Sequence, residues 1–438
     1  MNPLIRIFSH YCAKLQSDGF ARNVLVMFTG TAIGQFGSVL LSPFLTRIYS
    51  PEMFGILGIY MAVVGIASVL ATLRYEMALP LVQSDSHASD LLAVCIFALF
   101  GTTALFVLAI LGISTLGNAA AILGPLAPYR WLMPAGFFCI GAYQAMIAYA
   151  TRQGAFPVIA RTKVYQGCAG PLSQICMGLA GMRAWGLILG YIIGQSTGIT
   201  RLFSQLVIKP GVLHNVSLSG MRTMATRFRH FFFLSTWSGL INVASGTYLL
   251  LITIPILYSE TVVGFVFLTD RLIGRPLLLI STSILQVYVG DVSKSLSSDP
   301  VAVKRRFLQM AGRQLIIVAS WLALVNMAAP YVIPALFGKQ WADTVPYLHV
   351  LSIAYLPQMV MHAITHTLQI LEKQGLSALW EIGRFTALLG AFAASYTLGF
   401  DAWHALLAYS VVQALAQVIL FLLMYRSIQS LQKAGKNE

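Results

Sequence analysis

The sequence predicts an all-α polytopic membrane protein with about 12 transmembrane helices, six in each half of the chain. Three observations predict this class. Of the 438 residues, 58% are hydrophobic and only 10% are charged, whereas a soluble domain carries about 25% charged residues. The hydrophobic residues form runs of about 20, the length that crosses a bilayer core of roughly 30 Å. The basic residues collect in loops on one side of these runs.

Twelve apolar runs, bounded by charged or turn residues, divide evenly between the two halves of the chain. The first six span residues 23–48, 54–73, 91–114, 131–151, 164–182 and 185–207. The second six span residues 231–258, 262–289, 314–337, 347–371, 376–398 and 403–425. We therefore predict an N-lobe over 23–207, a cytoplasmic basic linker over 208–230 and a C-lobe over 231–425.

The distribution of the 28 lysine and arginine residues predicts the orientation. Most of them fall in the loops on the side of the N-terminus. The opposite side has only Arg47, Arg130, Arg183 and Lys339. Because basic loops stay in the cytoplasm, we expect both termini there. The tail at 426–438 is then cytoplasmic, as is the segment 1–22, which is either an amphipathic helix on the membrane surface or a frayed end.

A short motif recurs between the first two helices of each half. Tyr49-Ser50 followed by Gly55 matches Tyr258-Ser259 followed by Gly264. The flanking helices do not align in the same register. The recurrence nevertheless favours an internal duplication, which is common among transporters.

Composition excludes several classes of protein. The net charge of +14 could suggest nucleic-acid binding, but its location in loops indicates membrane topology instead. The five cysteines form no Cys-x-x-Cys pair, so neither a disulfide framework nor a zinc site is predicted. The sequence has no Walker loop and no Gly-x-Ser-x-Gly motif, so ATP hydrolysis within the chain is not expected. We predict no cofactor, metal or catalytic residue.

Charged residues deep in the eighth predicted span are the strongest functional signal, because each is costly to place in a bilayer. Arg271 and Arg275 are four residues apart and would share one helix face, just before Pro276. Asp270 can neutralise only one of them. The surplus positive charge would suit a phosphate or an acidic sugar. The alternative is an ion-pair network that holds helices together.

Two further charged pairs are candidates for coupling or for setting cavity charge. Glu381 and Arg384 lie three residues apart in the eleventh span. The pair fits two roles equally well: an ion pair that stabilises the structure, or a protonatable carboxylate that couples transport to an ion gradient. Arg74 and Glu76 lie at the inner end of the second span, where an interfacial anchor is the alternative.

Uncharged polar side chains repeat at helical intervals in three spans. Gln35 belongs to such a stripe in the first span, Asn242 to one in the seventh, and Gln358 and His362 to one in the tenth that continues to His366. We predict that these stripes line a water-filled cavity, with helix packing as the alternative. The two histidines lack the other ligands of a metal site.

The sequence resembles a known family of membrane proteins. Residues 42–55, SPFLTRIYSPEMFG, and 73–80, LRYEMALP, carry the resemblance. Weaker matches are Arg152, Ala160-Arg161 and Asp270-Arg271 before Arg275-Pro276. The chain resembles the oligosaccharide (O-antigen/exopolysaccharide) repeat-unit flippases of the multidrug/oligosaccharidyl-lipid/polysaccharide exporter superfamily.

The resemblance implies a transporter, not an enzyme, in the bacterial inner membrane, with two six-helix lobes around a central cationic cavity. Its expected substrates are polyprenyl-pyrophosphate-linked oligosaccharide repeat units, moved outward by alternating access in exopolysaccharide or lipopolysaccharide synthesis. Expected partners are this lipid-linked glycan, membrane lipid, a glycan polymerase and glycosyltransferases, and no nucleic acid. Arg271 and Arg275 would hold the pyrophosphate or acidic sugars. The alternatives are a cation-coupled multidrug exporter of the same superfamily and a membrane glycan polymerase or ligase.

Overall fold

The computed structural model describes residues 19–115, 123–208, 212, 216–244, 246–295, 300–371 and 373–434. Within these ranges the chain forms helices and turns and no β-strand, which confirms the all-α class. Most of the predicted segment 1–22 and the last four residues of the predicted tail lie outside the described residues.

In the described part of the chain, each of the twelve predicted apolar runs is mostly helical. In chain order the α-helices are α1 (Gly19–Leu40), α2 (Ser42–Ile48), α3 (Pro51–Ala67), α4 (Asp85–Thr115), α5 (Leu132–Arg152), α6 (Phe156–Leu179), α7 (Arg183–Phe203), α8 (Leu218–Arg227), α9 (Thr236–Ala244), α10 (Thr247–Leu257), α11 (Glu260–Thr269), α12 (Arg275–Ser295), α13 (Pro300–Val332), α14 (Thr344–His362), α15 (Thr367–Ile370), α16 (Gln374–Thr397) and α17 (Ala402–Ala434).

Six helical stretches in the described part of the chain are long and apolar enough to cross a membrane by length and composition. They are Pro51–Leu70, Asp85–Thr115, Leu132–Arg152, Val303–Phe337, Lys339–Ile370 and Ala402–Ser430. Some of the other predicted spans are interrupted helices: the first breaks at Leu41 and the seventh near Gly246. The chain is a multi-pass membrane protein.

The chain divides into two compact units of similar size. The first comprises residues Met1–Leu45 and Val64–Trp237, and the second comprises Thr46–Val63 and Ser238–Glu438. The second unit therefore includes most of α3, although α3 lies early in the chain. The predicted lobe and linker boundaries stay predictions.

In the first unit, α1 packs along α6 through small residues. A Cβ on Gly34 would collide with the Lys163 carbonyl oxygen, and a Cβ on Gly167 would collide with the Gly34 backbone. Such contacts bring two helix backbones close together, which is a common way for membrane helices to gain packing energy where water does not drive association. The same unit carries α8 between its spans, and Ser217 caps this helix by accepting from the Gly220 N–H at 3.0 Å.

In the second unit, the N-terminal ends of α3 and α11 cross at two glycines. A Cβ on Gly55 would collide with the carbonyl of Glu260, and a Cβ on Gly264 would collide with the carbonyl of Pro51. Each glycine thus meets the residue four positions before the other glycine. The crossing is reciprocal and depends on the absence of both side chains.

Trp341 anchors the packing of α2 and α3 in this unit. Its side chain is fully buried, and its ring meets the Phe54 ring edge to face, with centroids 5.1 Å apart. Its indole N–H donates to the Thr46 carbonyl oxygen at 2.9 Å. A buried indole needs such an acceptor because an unpaired buried donor is costly.

Candidate substrate chamber

The second unit contains a cavity of about 470 Å³, here called the chamber. It is lined by α3, α9, α10, α11, α12, α14, α16 and α17 together with the turn between α11 and α12 and the turn after α14. The predicted site residues that line it are Asn242, Asp270, Arg275, Gln358, His362, Glu381 and Arg384. The structure therefore brings together polar side chains from helices that are far apart in sequence.

A π-helical turn, Asp270–Gly274, places the first ion pair. The Arg275 N–H donates to the Asp270 carbonyl, five residues back. In an α-helix, residues five apart point about 140° away from each other, at 100° per residue. The wider turn instead stacks Arg275 over Asp270, so that Arg275 Nε lies 3.1 Å from Asp270 Oδ2. Pro276 gives a physical reason for the wider turn, because it has no N–H to continue the α-helical bonds.

Three groups fix the Asp270 carboxylate. Besides Arg275, the Tyr355 hydroxyl donates to Asp270 Oδ1 at 2.8 Å, and the Thr247 hydroxyl donates to the same oxygen at 3.5 Å. Gly274 leaves the space for this contact, because a Cβ there would collide with Asp270 Oδ1 and lie 3.1 Å from the Tyr355 ring. The Asp270 side chain is only 10% exposed, whereas that of Arg275 is 45% exposed. The arginine is the partner that faces the open space.

A second polar group connects α9 with α16. Asn242 Nδ2 donates to Glu381 Oε1 at 2.8 Å. One turn further along α16, the buried Arg384 guanidinium lies 5.0 Å from the centre of the Trp380 ring. The ring in turn donates its N–H to the Ala416 carbonyl at 2.9 Å. Glu381 therefore has a polar partner on α9, whereas Arg384 has an aromatic partner, Trp380, on its own helix.

The polar face predicted for the tenth span is only partly continuous. Gln358 accepts from Gln413 Nε2 at 3.3 Å, and His362 lines the chamber with its Nε2 buried and without a hydrogen-bond partner among the described residues. The continuation to His366 was wrong, because α14 ends at His362 and residues 363–366 form turns. The Thr367 hydroxyl bonds the Ile364 carbonyl at 2.6 Å, and this stabilises the tighter turn.

Arg271 does not line the chamber. Its side chain is half-buried, and the residue belongs to the π-helical turn that precedes Arg275. The prediction that the two arginines share one helix face stays a prediction, but only Arg275 of the pair reaches the cavity. The surplus positive charge expected from the pair is therefore not found in the chamber lining, where two acidic residues accompany two arginines.

The remaining predicted site residues belong to the first unit. Gln35 is half-buried on α1, and its Oε1 has no hydrogen-bond partner in the described part of the chain. Arg74 Nη1 lies 3.8 Å from Glu76 Oε1, and the buried Glu76 also accepts from the Thr72 hydroxyl. These contacts make Arg74 and Glu76 a local ion pair after α3.

Arg152, which contributes to the family resemblance, holds the start of α4 in the first unit. Its Nη1 lies 2.7 Å from Asp85 Oδ1, and its Nε and Nη2 donate to the carbonyls of Val82 and Gln83, each at 2.8 Å. The planar guanidinium thus satisfies three acceptors at once. This geometry indicates a structural role.

Sequence reasoning missed Thr247 and Trp380 as chamber residues. Thr247 follows the helix break at Gly246, and that glycine was the available signal. Trp380 directly precedes Glu381, but it was not selected because sequence reasoning relied on charged and uncharged polar side chains. Across the described ranges, no cluster of three or more His, Cys, Asp or Glu side chains is placed to hold a metal ion.

Comparison with known proteins places the chain in a family. The profile described as "Polysaccharide biosynthesis protein" matches residues 44–346. No curated protein matches the chain.

Among solved structures, a multidrug resistance MATE family transporter of the MOP superfamily in an inward-facing conformation aligns with a TM-score of 0.67 at 15% identity, over 93% of this chain and 96% of that one. A MOP superfamily transporter from Pyrococcus furiosus, whose binding pocket is described as having reverse polarity, aligns with a TM-score of 0.56 at 14% identity, over 94% and 96%. At such identities the likeness shows the fold. The chain has the fold of these transporters and belongs to the polysaccharide biosynthesis protein family.

Proposed function

We propose that this protein is a flippase that moves polyprenyl-pyrophosphate-linked oligosaccharide repeat units across the bacterial inner membrane by alternating access. The observation that carries the proposal is the chamber, where ion-paired and hydrogen-bonding side chains are grouped among apolar helices. Charged groups at such depth are costly and usually face water or a ligand. The family, defined by polysaccharide biosynthesis, supports a glycan as the ligand, and the transporter fold supports movement instead of catalysis.

The proposal is tested by reconstituting the purified protein in liposomes with fluorescent lipid-linked oligosaccharide. Movement is read from the fraction of label that an impermeant quencher cannot reach. Leu278→Trp fills the chamber and should abolish movement. Ile382→Trp is the matched control, because Ile382 is 51% exposed on α16 and does not line the chamber. Equal movement in protein-free liposomes, or undiminished movement by a folded Leu278→Trp, would refute the proposal.

A multidrug exporter is the second candidate, and the acidic pair Asp270 and Glu381 favours it because carboxylates attract cationic drugs. The same liposomes, loaded with ethidium under a proton or sodium gradient, distinguish the two. Export of ethidium without movement of the glycan lipid would establish this alternative. The flippase proposal requires the opposite result.

The orientation with both termini in the cytoplasm is part of the proposal. It rests on the basic loops, since Lys and Arg are retained on the cytoplasmic side. Reporter fusions test it: a fusion after Glu438 should be active only for a cytoplasmic reporter. A fusion in the loop near Asp401, between α16 and α17, should report the opposite side.

A further inference from the structure

The chamber is balanced in formal charge. Its charged lining residues in the described part of the chain are Asp270, Glu381, Arg275 and Arg384, two of each sign. Arg275 is already paired with Asp270 at 3.1 Å, and Arg384 lies over the Trp380 ring. A ligand that enters therefore meets carboxylates as well as guanidinium groups.

This arrangement is unfavourable for a pyrophosphate group. A pyrophosphate carries several negative charges and would be repelled by both carboxylates in a site partly shielded from water. Arg275, Tyr355 and Thr247 all donate to the Asp270 carboxylate and hold it in place. Binding of pyrophosphate to Arg275 would therefore require the ion pair between Arg275 and Asp270 to break.

The same arrangement suits uncharged sugars. Each sugar hydroxyl both donates and accepts, so a sugar site needs acceptors and donors side by side. Asp270 and Glu381 supply acceptors, while Arg275 and Asn242 supply donors. His362 Nε2 is a buried polar atom without a partner among the described residues, and a hydroxyl could satisfy it. The volume of about 470 Å³ falls within the range of roughly 300–1,000 Å³ typical of small-molecule sites.

We propose that the chamber holds an uncharged sugar portion of the lipid-linked oligosaccharide and excludes its pyrophosphate. The inference rests on the proposed function, and it changes the role of Arg275. From sequence, this arginine was expected to hold pyrophosphate or acidic sugars. In the chamber it is a donor to sugar hydroxyls, oriented by Asp270.

Binding of two separated parts of the substrate tests the inference. The first probe is the oligosaccharide released by mild acid from the lipid-linked intermediates of the source bacterium and treated with phosphatase. The second is inorganic pyrophosphate. Each is titrated into the full-length protein in detergent, and binding is read from the rise in melting temperature. The wild-type protein should be stabilised by the oligosaccharide and unaffected by pyrophosphate.

Asp270→Asn should reverse this preference, because it removes the negative charge beside Arg275 and gives the chamber lining a net positive charge. We expect at least a tenfold loss of oligosaccharide affinity and the appearance of pyrophosphate binding, which Arg275→Gln in the same background removes. Asp401→Asn is the matched control, since it makes the same charge change outside the chamber. If Asp270→Asn fails to fold, Glu381→Gln makes the same charge change within the lining.

Two results distinguish this inference from the proposed function. Pyrophosphate binding by the wild-type protein that is lost in Arg275→Gln, with no binding of the free oligosaccharide, would overturn the inference even if the protein moves the lipid-linked substrate. Oligosaccharide binding that depends on Asp270, without any movement of the lipid-linked substrate in liposomes, would support the inference and refute the flippase function.

Discussion

The glycine crossing of α3 and α11 makes a quantitative prediction about stability. Gly264→Ala adds one methyl group where the nearest atoms are the carbonyl oxygen, carbonyl carbon and Cα of Pro51, the last two at 2.7 and 3.1 Å. These are backbone atoms, so no side-chain rotation can relieve the contact. The two helices must move apart along the whole crossing.

The expected cost follows from two opposing effects. Replacing glycine by alanine inside a helix stabilises it by roughly 0.5–1 kcal/mol. Overfilling a packed contact costs about 1–3 kcal/mol, and more when backbone must shift. Gly390 on α16 provides the control, because a Cβ there meets no atom within 4 Å. Since the helix propensity gain is common to both variants, the difference between Gly264→Ala and Gly390→Ala isolates the packing cost of about 1–3 kcal/mol.

Thermal unfolding of the two purified variants in the same detergent measures this difference. At roughly 2–4 °C per kcal/mol for a unit of about 200 residues, Gly264→Ala should melt several degrees below Gly390→Ala. The double variant of Gly55 and Gly264 should cost less than the sum of the single variants, because separating the helices relieves both contacts. Equal melting temperatures, or strictly additive costs, would show that the two glycines do not share one contact.

Three further outcomes follow from the contacts of the second unit. Tyr355→Phe removes a buried donor to Asp270 and should destabilise the protein by about 1–3 kcal/mol, measured as a lower melting temperature; an unchanged value would contradict that bond. Trp341→Phe removes one donor to the Thr46 carbonyl, which still accepts from Gln340 Nε2 at 2.7 Å, and should therefore cost only about 0.5–1.5 kcal/mol in the same assay; an unchanged melting temperature would contradict the indole bond. The backbone N–H and then the ring of His404 lower the pKa of Asp401, which caps α17 from an exposed loop. A depressed folded-state pKa stabilises the protein above the unfolded value and loses that effect as pH falls through the folded value, so acid should destabilise the wild type slightly more than Asp401→Asn.

Sequence reasoning identified most of the chamber because charge and amide groups are rare in membrane helices. Asp270, Arg275, Glu381 and Asn242 were each selected on that ground, and the structure places all four around one cavity. Their partners could not be predicted in the same way. The bond from Tyr355 to Asp270 joins residues 85 positions apart, and periodicity within one helix carries no information about such a contact.

The errors come from assuming regular α-helices. The wider turn at Asp270–Gly274 pairs Arg275 with Asp270, and of the two arginines only Arg275 lines the chamber. Pro276 is visible in the sequence, but a proline indicates only that the hydrogen-bond pattern changes, not whether a kink or a wider turn results. The polar face through His366 failed for the same reason, since α14 ends at His362.

The crossing of α3 and α11 also bears on the internal repeat. Ser50 and Ser259 each cap their helix by accepting from the N–H three residues on, both at 3.4 Å, and the glycines five residues later meet reciprocally. The repeated motif therefore occupies equivalent positions in three dimensions, which supports a duplication more strongly than the sequence match does.

The two copies of the motif are equivalent at the helix crossing, but the residues that follow them differ in charge. Six residues after Gly264 the chain has Asp270, and six residues after Gly55 it has Met61; both side chains line the chamber. The helix that follows the first copy of the motif has no charge between Met53 and Leu73, whereas the second copy carries the ion pair. If the halves arose by duplication, the charged group is a specialisation of one copy. If the charged pair served only in packing, both copies would be expected to carry it. The asymmetry therefore favours a ligand-binding role for Asp270 and Arg275.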